Sequence, residues 1–405
     1  MRLIKLGLFS VLFVFLIRTQ LFAQIKAGYD DDGMVTVNGE RIFIIGSYHT
    51  PKSGQPYREL AEAGFNLVRV GTSAEQLDQA DRAGLYTWIS IGTLDLQDSV
   101  QSANKLLKKV NDFKDHPSLL IWESVDEPAW TWKKAEPRVR PKPLVSGYNL
   151  VRSADANHLF YMNHAPVNLV STLQKYNGAT DIVACDIYPV IPHGIRPMYA
   201  LFDDGLQGDL LNCTISQVGE YADKMRRVAG PDRPVFMVLQ GFAWEMLRKE
   251  NERDSSMILF PTLQQSRFMA YNAIIHGVNG ILYWGTAYTP QPSAFWSDLK
   301  RVVKEIASLS EVLGARTIKL KIDKVYHEMG HSVDAGVEIL CKKANNSVYL
   351  ITANADKNPV KVTLKGLGDF GRAEVIGEDR SVNIRDGALT DIYQPFDVHV
   401  YRMHE

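Results

Sequence analysis

His116-Pro117-Ser118-Leu119-Leu120-Ile121-Trp122-Glu123-Ser124-Val125-Asp126-Glu127-Pro128 is the stretch around which the chain is organised. Its His-Pro opening marks a helix end, because the residue before a proline is pushed out of the helical region. A short apolar run follows, the pattern of a strand buried on both faces. The run ends in two adjacent carboxylates, Asp126 and Glu127, and a proline. A buried strand that stops at acids delivers them to the rim of a sheet. In α/β folds, chemistry sits at the C-terminal ends of strands.

Outward from this stretch the chain keeps a rhythm. Residues 34–41 alternate like strands around an Asn38-Gly39 turn, a hairpin signature. Residues 42–46 read as a buried strand, with Tyr48 and His49 just past its end. Helical patterns at 57–63 and 74–83 each stop at an Ala-Gly pair, where glycine supplies a left-handed cap, and give way to strands at 67–70 and 86–91. A helix over 99–113 leads into the opening strand, 119–124. A basic, Pro-rich loop over 133–143 is too polar to bury and reads as a surface excursion beside the rim. Helices at 144–153, 167–175, 215–228 and 264–276 then alternate with strands at 159–163, 181–185, 235–239 and 281–284. The long loop before 215 carries His193, Asp203 and Asp204, and a last helix covers 296–313.

Eight such units over roughly 270 residues imply a parallel sheet of the size of a closed (β/α)8 barrel. An open doubly wound sheet is the competing architecture, and no Gly-rich phosphate loop follows the first strand to support it. From Thr317 the pattern changes to short strands at 336–341, 347–354, 359–364, 373–376 and 397–401, a small antiparallel β-domain. The expected division is a leader over 1–23, a barrel with an N-terminal hairpin over 24–316, and a β-sandwich over 317–405.

Composition narrows the partners. The 405 residues carry 45% hydrophobic and 22% charged side chains, ordinary for a globular protein, and a net charge of -1 points to neither nucleic acid nor a membrane surface. Seven Trp, 17 Tyr and 16 Phe suit a large core and sugar stacking equally. Arg2 and Lys5 precede an apolar run at 6–17, too short for the roughly 20 residues of a membrane span. Leu21-Phe22-Ala23 then offers a cleavage site, with Gln24 as the mature start, so a secreted or periplasmic product without membrane insertion is expected. Cys185, Cys213 and Cys341 form no disulfide framework or metal pattern. Buried thiols are the simpler reading, a Cys185–Cys213 bridge the other. There is no His-Glu-x-x-His motif and no Gly-x-Ser-x-Gly elbow. No metal or cofactor is expected.

The stretch 116–128 resembles the fourth barrel strand of clan A glycoside hydrolases, family 2 above all, where His-Pro-Ser and an apolar strand with Trp lead to Asn-Glu-Pro. The entry hairpin and the C-terminal β-domain are similar to that clan as well. The resemblance implies a TIM barrel acting on oligo- or polysaccharides, with Glu127 as general acid and Asp126, in place of the Asn, at the sugar 2-hydroxyl. Glycosidic cleavage takes two carboxyl groups in most families, about 5–5.5 Å apart in retaining enzymes and about 6.5–9.5 Å apart in inverting ones. The donor must stay protonated, and repulsion from Asp126 is expected to raise the pKa of Glu127.

The departure from the clan is at strand seven, whose nucleophilic Glu is here Gln240, in Leu239-Gln240-Gly241-Phe242. Three readings stay open. Asp186 or Glu245 substitutes, with an inverting route natural; or the alignment is shifted and Glu245 is the nucleophile; or the barrel binds glycans without cutting them. Arg69 resembles the strand-two Arg that orients the nucleophile. A buried ion pair with a barrel acid is its other reading, and would lie near the site. Tyr48, His49, His164 and Tyr188 follow strand ends, where they could hydrogen-bond hydroxyls, or serve the core. Gln240 would position sugar or water. Trp284 ends strand eight, where the clan stacks a Trp under the sugar; core packing is the alternative. Trp130, Trp132 and Trp244 lie in rim loops.

Overall fold

The computed structural model describes residues 25–131, 135–192 and 214–404. The expected leader and Gln24 lie outside the described residues, as do Trp132, His193, Asp203, Asp204 and Cys213, and with Cys213 the reading of a Cys185–Cys213 bridge.

The described chain enters through three short antiparallel strands, β1 (Ala27–Tyr29), β2 (Val35–Val37) and β3 (Glu40–Arg41). Val37 pairs with Glu40 across Asn38 and Gly39, both left-handed at φ 53° and 89°, as a two-residue hairpin requires. Ile25, Val35 and Val37 join the cluster that fills the barrel interior.

That barrel is closed and all-parallel, with eight strands: β4 (Ile44–Ser47), β5 (Leu67–Val70), β6 (Tyr86–Ser90), β7 (Leu119–Glu123), β8 (Leu159–His164), β9 (Ile182–Asp186), β10 (Val235–Gln240) and β11 (Gly280–Trp284), the last pairing with β4. Alternation sorts each run into two cores. Ile44, Leu67, Trp88, Ile121, Tyr161, Ala184, Phe236 and Leu282 fill the interior, while Ile45, Val68, Ile89, Trp122, Phe160, Val183, Met237 and Ile281 face the helices. Gly46 makes room for this packing, since a Cβ there would sit 2.3 Å from Leu282 Cδ2.

The surrounding helices are α1 (Pro56–Ala63), α2 (Ala74–Arg82), α3 (Ser99–Phe113), α4 (Pro141–Ala154), α5 (Val170–Leu173), α6 (Gln217–Ala229), α7 (Leu263–Ile275), α8 (Ala294–Ser308) and α9 (Ser310–Gly314). Gly64 ends α1 at φ 101°, and Thr262 and Gln265 close a reciprocal capping box on α7. Two helices depart from expectation. The segment after 167 makes only the single turn of α5 before a 3-10 stretch at Gln174–Ala179, because Val170 and Thr172 are weak helix formers and Asn177-Gly178 ends the run. The final helix breaks at Leu309, where the Ser308 hydroxyl donates to the Glu305 carbonyl at 2.6 Å and competes with the helical ladder. Among the described residues no helix is long and apolar enough to cross a membrane.

Two antiparallel sheets complete the fold. One orders β12 (Asp323–His327), β15 (Val360–Lys365) and β18 (Ala388–Tyr393). The other orders β13 (Val337–Ala344), β14 (Ser347–Asn354), β19 (Val398–His404), β16 (Arg372–Val375) and β17 (Arg380–Asn383). Their inner faces share a core of Val337, Leu350, Val362, Leu364, Leu389, Tyr393 and Tyr401. β12, β17 and β18 escape the sequence pattern because each lies at the edge of its sheet, where polar and charged residues replace strict alternation. Tyr349, Ile351, Val398 and Val400 on the opposite face pack with the barrel helices. His276 at the end of α7 clasps this junction, 3.0 Å from both Asp223 of α6 and Glu338 of β13.

Candidate active site

Acids gather at the C-terminal mouth of the barrel. Glu127 lies four residues past the end of β7 in a left-handed conformation, φ 47°. For a residue with a Cβ this costs about 1–2 kcal/mol. Two backbone bonds hold it there: its N–H donates to Asn163 C=O at 3.0 Å, and its C=O accepts the N–H of Trp130 at 3.1 Å. Strain of this kind collects at functional sites, where it aims a side chain. Here it turns the carboxyl onto Asp186, at the end of β9, with which it shares a hydrogen bond.

Burial, and then the negative charges of Asp186 and Asp126, push the Glu127 pKa up to about 9, with Arg138 opposing. Two carboxylates in contact cannot both ionise cheaply, so at neutral pH the Glu127–Asp186 pair holds one proton. Asn163 of β8 ties the acids together, its Nδ2 donating to Asp126 Oδ1 at 3.1 Å and to Asp186 Oδ1 at 3.0 Å. Arg138 arrives from the loop before α4. Its Nη1 lies 2.8 Å from Glu127 Oε2 and 3.3 Å from Asp126 C=O, and its guanidinium sits 4.5 Å over the Trp130 ring. The loop is folded back for this, Arg138 N–H bonding Trp130 C=O at 3.1 Å.

Below the acids, Arg69 of β5 pairs with Glu123 of β7 at 2.9 Å. Glu123 is 1% exposed, and burial lifts its pKa to about 7, with Arg69 opposing and Asp126 adding to the rise. Tyr48 and Tyr161 share a 2.7 Å hydroxyl–hydroxyl bond, and Trp88 stands edge-on to Tyr48 at 5.1 Å.

An aromatic wall flanks the acids. Tyr188 stacks on Trp284 with centroids 5.6 Å apart and planes at 24°, and Phe242 meets both edge-on at 5.1 Å. Trp244 donates its indole N–H to Tyr188 C=O at 3.1 Å. Gly285 permits this packing, since a Cβ there would stand 2.3 Å from Phe242. Trp284 is 6.0 Å from the His49 ring, which burial and Arg69 keep neutral by pushing its pKa down to about 4. Tyr188 feels the charges of Asp186, Asp126 and Glu127, so wall and acids adjoin.

The structure therefore brings Tyr48, His49, Arg69, Asp126, Glu127, Asp186, Tyr188, Trp244 and Trp284 to one end of the barrel. Three further expected residues are packed or bonded elsewhere. His164 follows Asn163 on β8 and so faces outward, fully buried against Tyr176 at 6.0 Å, with neither ring nitrogen bonded and its pKa pushed down to about 4 by burial. Gln240 ends β10, the seventh strand of the barrel, in register with Trp284. Its amide is spent on the backbone: it donates to Val190 C=O and Phe242 C=O and accepts from Val190 N–H, all at 3.0 Å. Glu245 sits past the strand in a 3-10 turn, fully buried, its Oε1 accepting Asp254 N–H at 2.6 Å. It braces the loop that follows.

Glu123, Asn163, Arg138, Trp88 and Tyr161 went unnoticed in the sequence. A glutamate inside an otherwise apolar buried strand was the available signal for the first, because an acid is rarely fully buried unless paired.

No protein-family model and no curated protein matches the chain. Solved structures do. An α-amylase from Geobacillus thermoleovorans, complexed with acarbose, has TM-score 0.56 at 9% identity, over 90% of this chain and 100% of that one. A maltogenic α-amylase from Thermotoga neapolitana has TM-score 0.54 at 8% identity, over 89% and 99%. A glycoside hydrolase family 30 subfamily 8 xylanase from Clostridium acetobutylicum has TM-score 0.51 at 11% identity, over 94% and 98%. At such identities the likeness is one of architecture: this chain has the TIM-barrel fold, with C-terminal β-sheets, that these glycoside hydrolases share.

Proposed function

We propose that this protein is an exported glycosidase that hydrolyses O-glycosidic bonds of oligo- or polysaccharides, with Glu127 as proton donor and Asp186 as the second carboxylate. The observation that carries the reading is a buried glutamate at the barrel mouth, bonded to Arg138 and set among Asp126 and Asp186, beside an aromatic wall. A sugar ring stacks its apolar face on such a wall. Glu127, protonated at neutral pH, gives its proton to the leaving oxygen as the glycosidic C–O bond breaks.

A hydrogen-bonded carboxyl pair leaves no room for a water between its members. Of the two arrangements, we propose the close one of about 5–5.5 Å rather than the wide one of about 6.5–9.5 Å, which needs a water between the carboxyls. Asp186 then attacks the anomeric carbon and forms a glycosyl ester. In the second step Glu127, now ionised, takes a proton from the water that displaces Asp186. The sequence leaves retention and inversion both open, and retention is the proposed route. Asn163 steadies the charge on Asp186 and Asp126, and Arg138 balances the acids while Glu127 is ionised.

The test is release of reducing sugar from a polysaccharide and oligosaccharide panel. Glu127→Gln should lower the rate by about 10²–10⁴-fold, Asp186→Asn should do so at least as strongly, and NMR should find the first-formed anomer with retained configuration. Wild type that binds glycans yet releases nothing across the panel would refute the reading and leave a glycan-binding barrel.

A further inference from the structure

We propose that Glu123 and Trp88 form a binding site for one ring hydroxyl of a neutral sugar, the hydroxyl donating to Glu123 Oε1 and accepting from Trp88 Nε1. The choice of a sugar rests on the hydrolytic reading above. The site itself rests on two groups that no step of the proposed reaction uses.

Glu123 and Trp88 are each 1% exposed, on neighbouring strands of the barrel interior. Arg69 satisfies Glu123 Oε2 at 2.9 Å, whereas no donor among the described residues reaches Glu123 Oε1. The Trp88 indole N–H lies close enough to steady the Glu123 charge but makes no hydrogen bond of normal geometry. A buried acceptor and a buried donor thus lie close together, with no hydrogen bond of normal geometry to either. Leaving such groups unmade is costly, so buried polar atoms are almost always paired. A hydroxyl, donor and acceptor in one atom, is complementary to both. An ammonium would have no use for the indole N–H, and a carboxylate or phosphate would be repelled by Glu123.

Asp126 and Arg69 act on the same carboxyl, and the buried, mutually bonded Tyr48 and Tyr161 hydroxyls feel its charge. The Arg69 side chain bonded to Glu123 is 38% exposed, so the pair reaches from the buried carboxyl toward solvent. The ion pair alone would need only one carboxylate oxygen. Glu123 offers the second to whatever enters.

The test couples the protein to the ligand. Titration calorimetry would measure binding of 4-nitrophenyl glycosides of glucose, galactose, mannose and xylose, and of their monodeoxy derivatives, with release of nitrophenol measured separately. In wild type, removal of one particular hydroxyl should weaken binding by about tenfold to a hundredfold, the scale of a hydrogen bond to a charged group.

Glu123→Gln preserves volume, keeps an oxygen for Arg69 and turns an amide N–H toward Trp88. Trp88→Phe removes only the indole donor and leaves the charge pair intact. In each variant the penalty for that same deoxy position should fall to about threefold or less, with the other positions unchanged. The proposal fails if no deoxy position costs wild type more than about threefold, or if the penalty survives in both variants. Glycosides bound with this pattern but never cleaved would sink the hydrolytic reading and spare the hydroxyl site. Cleavage with no deoxy penalty would do the reverse, and a protein that neither binds nor cleaves them would sink both.

Discussion

Replacing Glu127 by glutamine should stabilise the protein, and by more as the pH rises. The carboxyl titrates near 4.5 in the unfolded chain and at about 9 in the fold. Between those values the unfolded chain has released its proton and the folded protein keeps one, so unfolding releases a proton and wild-type stability falls with pH. Each unit of pKa difference is worth about 1.36 kcal/mol, which makes the deficit roughly 3 kcal/mol at pH 7 and about 6 kcal/mol at most near pH 9. The side chain is only 12% exposed, so solvent screens little of this.

Glutamine matches the volume, donates to Asp186 as the protonated acid does, and never ionises. The backbone strain at φ 47° is the same for both residues. Urea unfolding of both proteins near pH 5, 7 and 9 would show nearly equal stability at the lowest pH. The variant should lead by about 2–3 kcal/mol at pH 7 and by more near pH 9. A gap that stays constant or shrinks with pH would mean that the site holds no proton, and the general-acid reading would fall with it.

Gln240→Glu should bring no gain in activity and a loss of about 2–4 kcal/mol in unfolding free energy, because a carboxylate would face the carbonyls of Val190 and Phe242 that the amide now satisfies; a rise in kcat/KM would place strand seven back in the chemistry. His276 is raised from 6.5 to about 10, chiefly by its contacts with Asp223 and Glu338 acting against burial. Its contribution is therefore full below pH 6.5 and is lost as pH climbs toward 10. His276→Gln should lower stability by roughly 1–3 kcal/mol near pH 6 and by almost nothing above pH 10, and an equal loss at both would show that the clasp works without charge.

The barrel was legible because its code is local. Buried runs such as 119–124, helix ends at Ala-Gly pairs and a repeated spacing need no knowledge of what packs where. Helix α3 and strand β14 follow their expected ranges residue for residue, Ser99–Phe113 and Ser347–Asn354. Edge strands such as β12 were not legible, because an edge strand need bury little on either face.

The site divides the same way. Sequence alone placed Glu127 and Asp126 at a rim, since a strand that ends in acids puts them there in any parallel barrel. It could not tell His164 from Asn163, because a single residue of register decides which side of the wall a side chain takes. Nor could it foresee that Asp186 would reach Glu127, that Arg138 would fold back across a loop, or that Gln240 would be spent on backbone partners. Those outcomes depend on strands far apart in the chain closing into a ring, and on one glutamate held at its backbone angle by Asn163 of the neighbouring strand and Trp130 of its own loop.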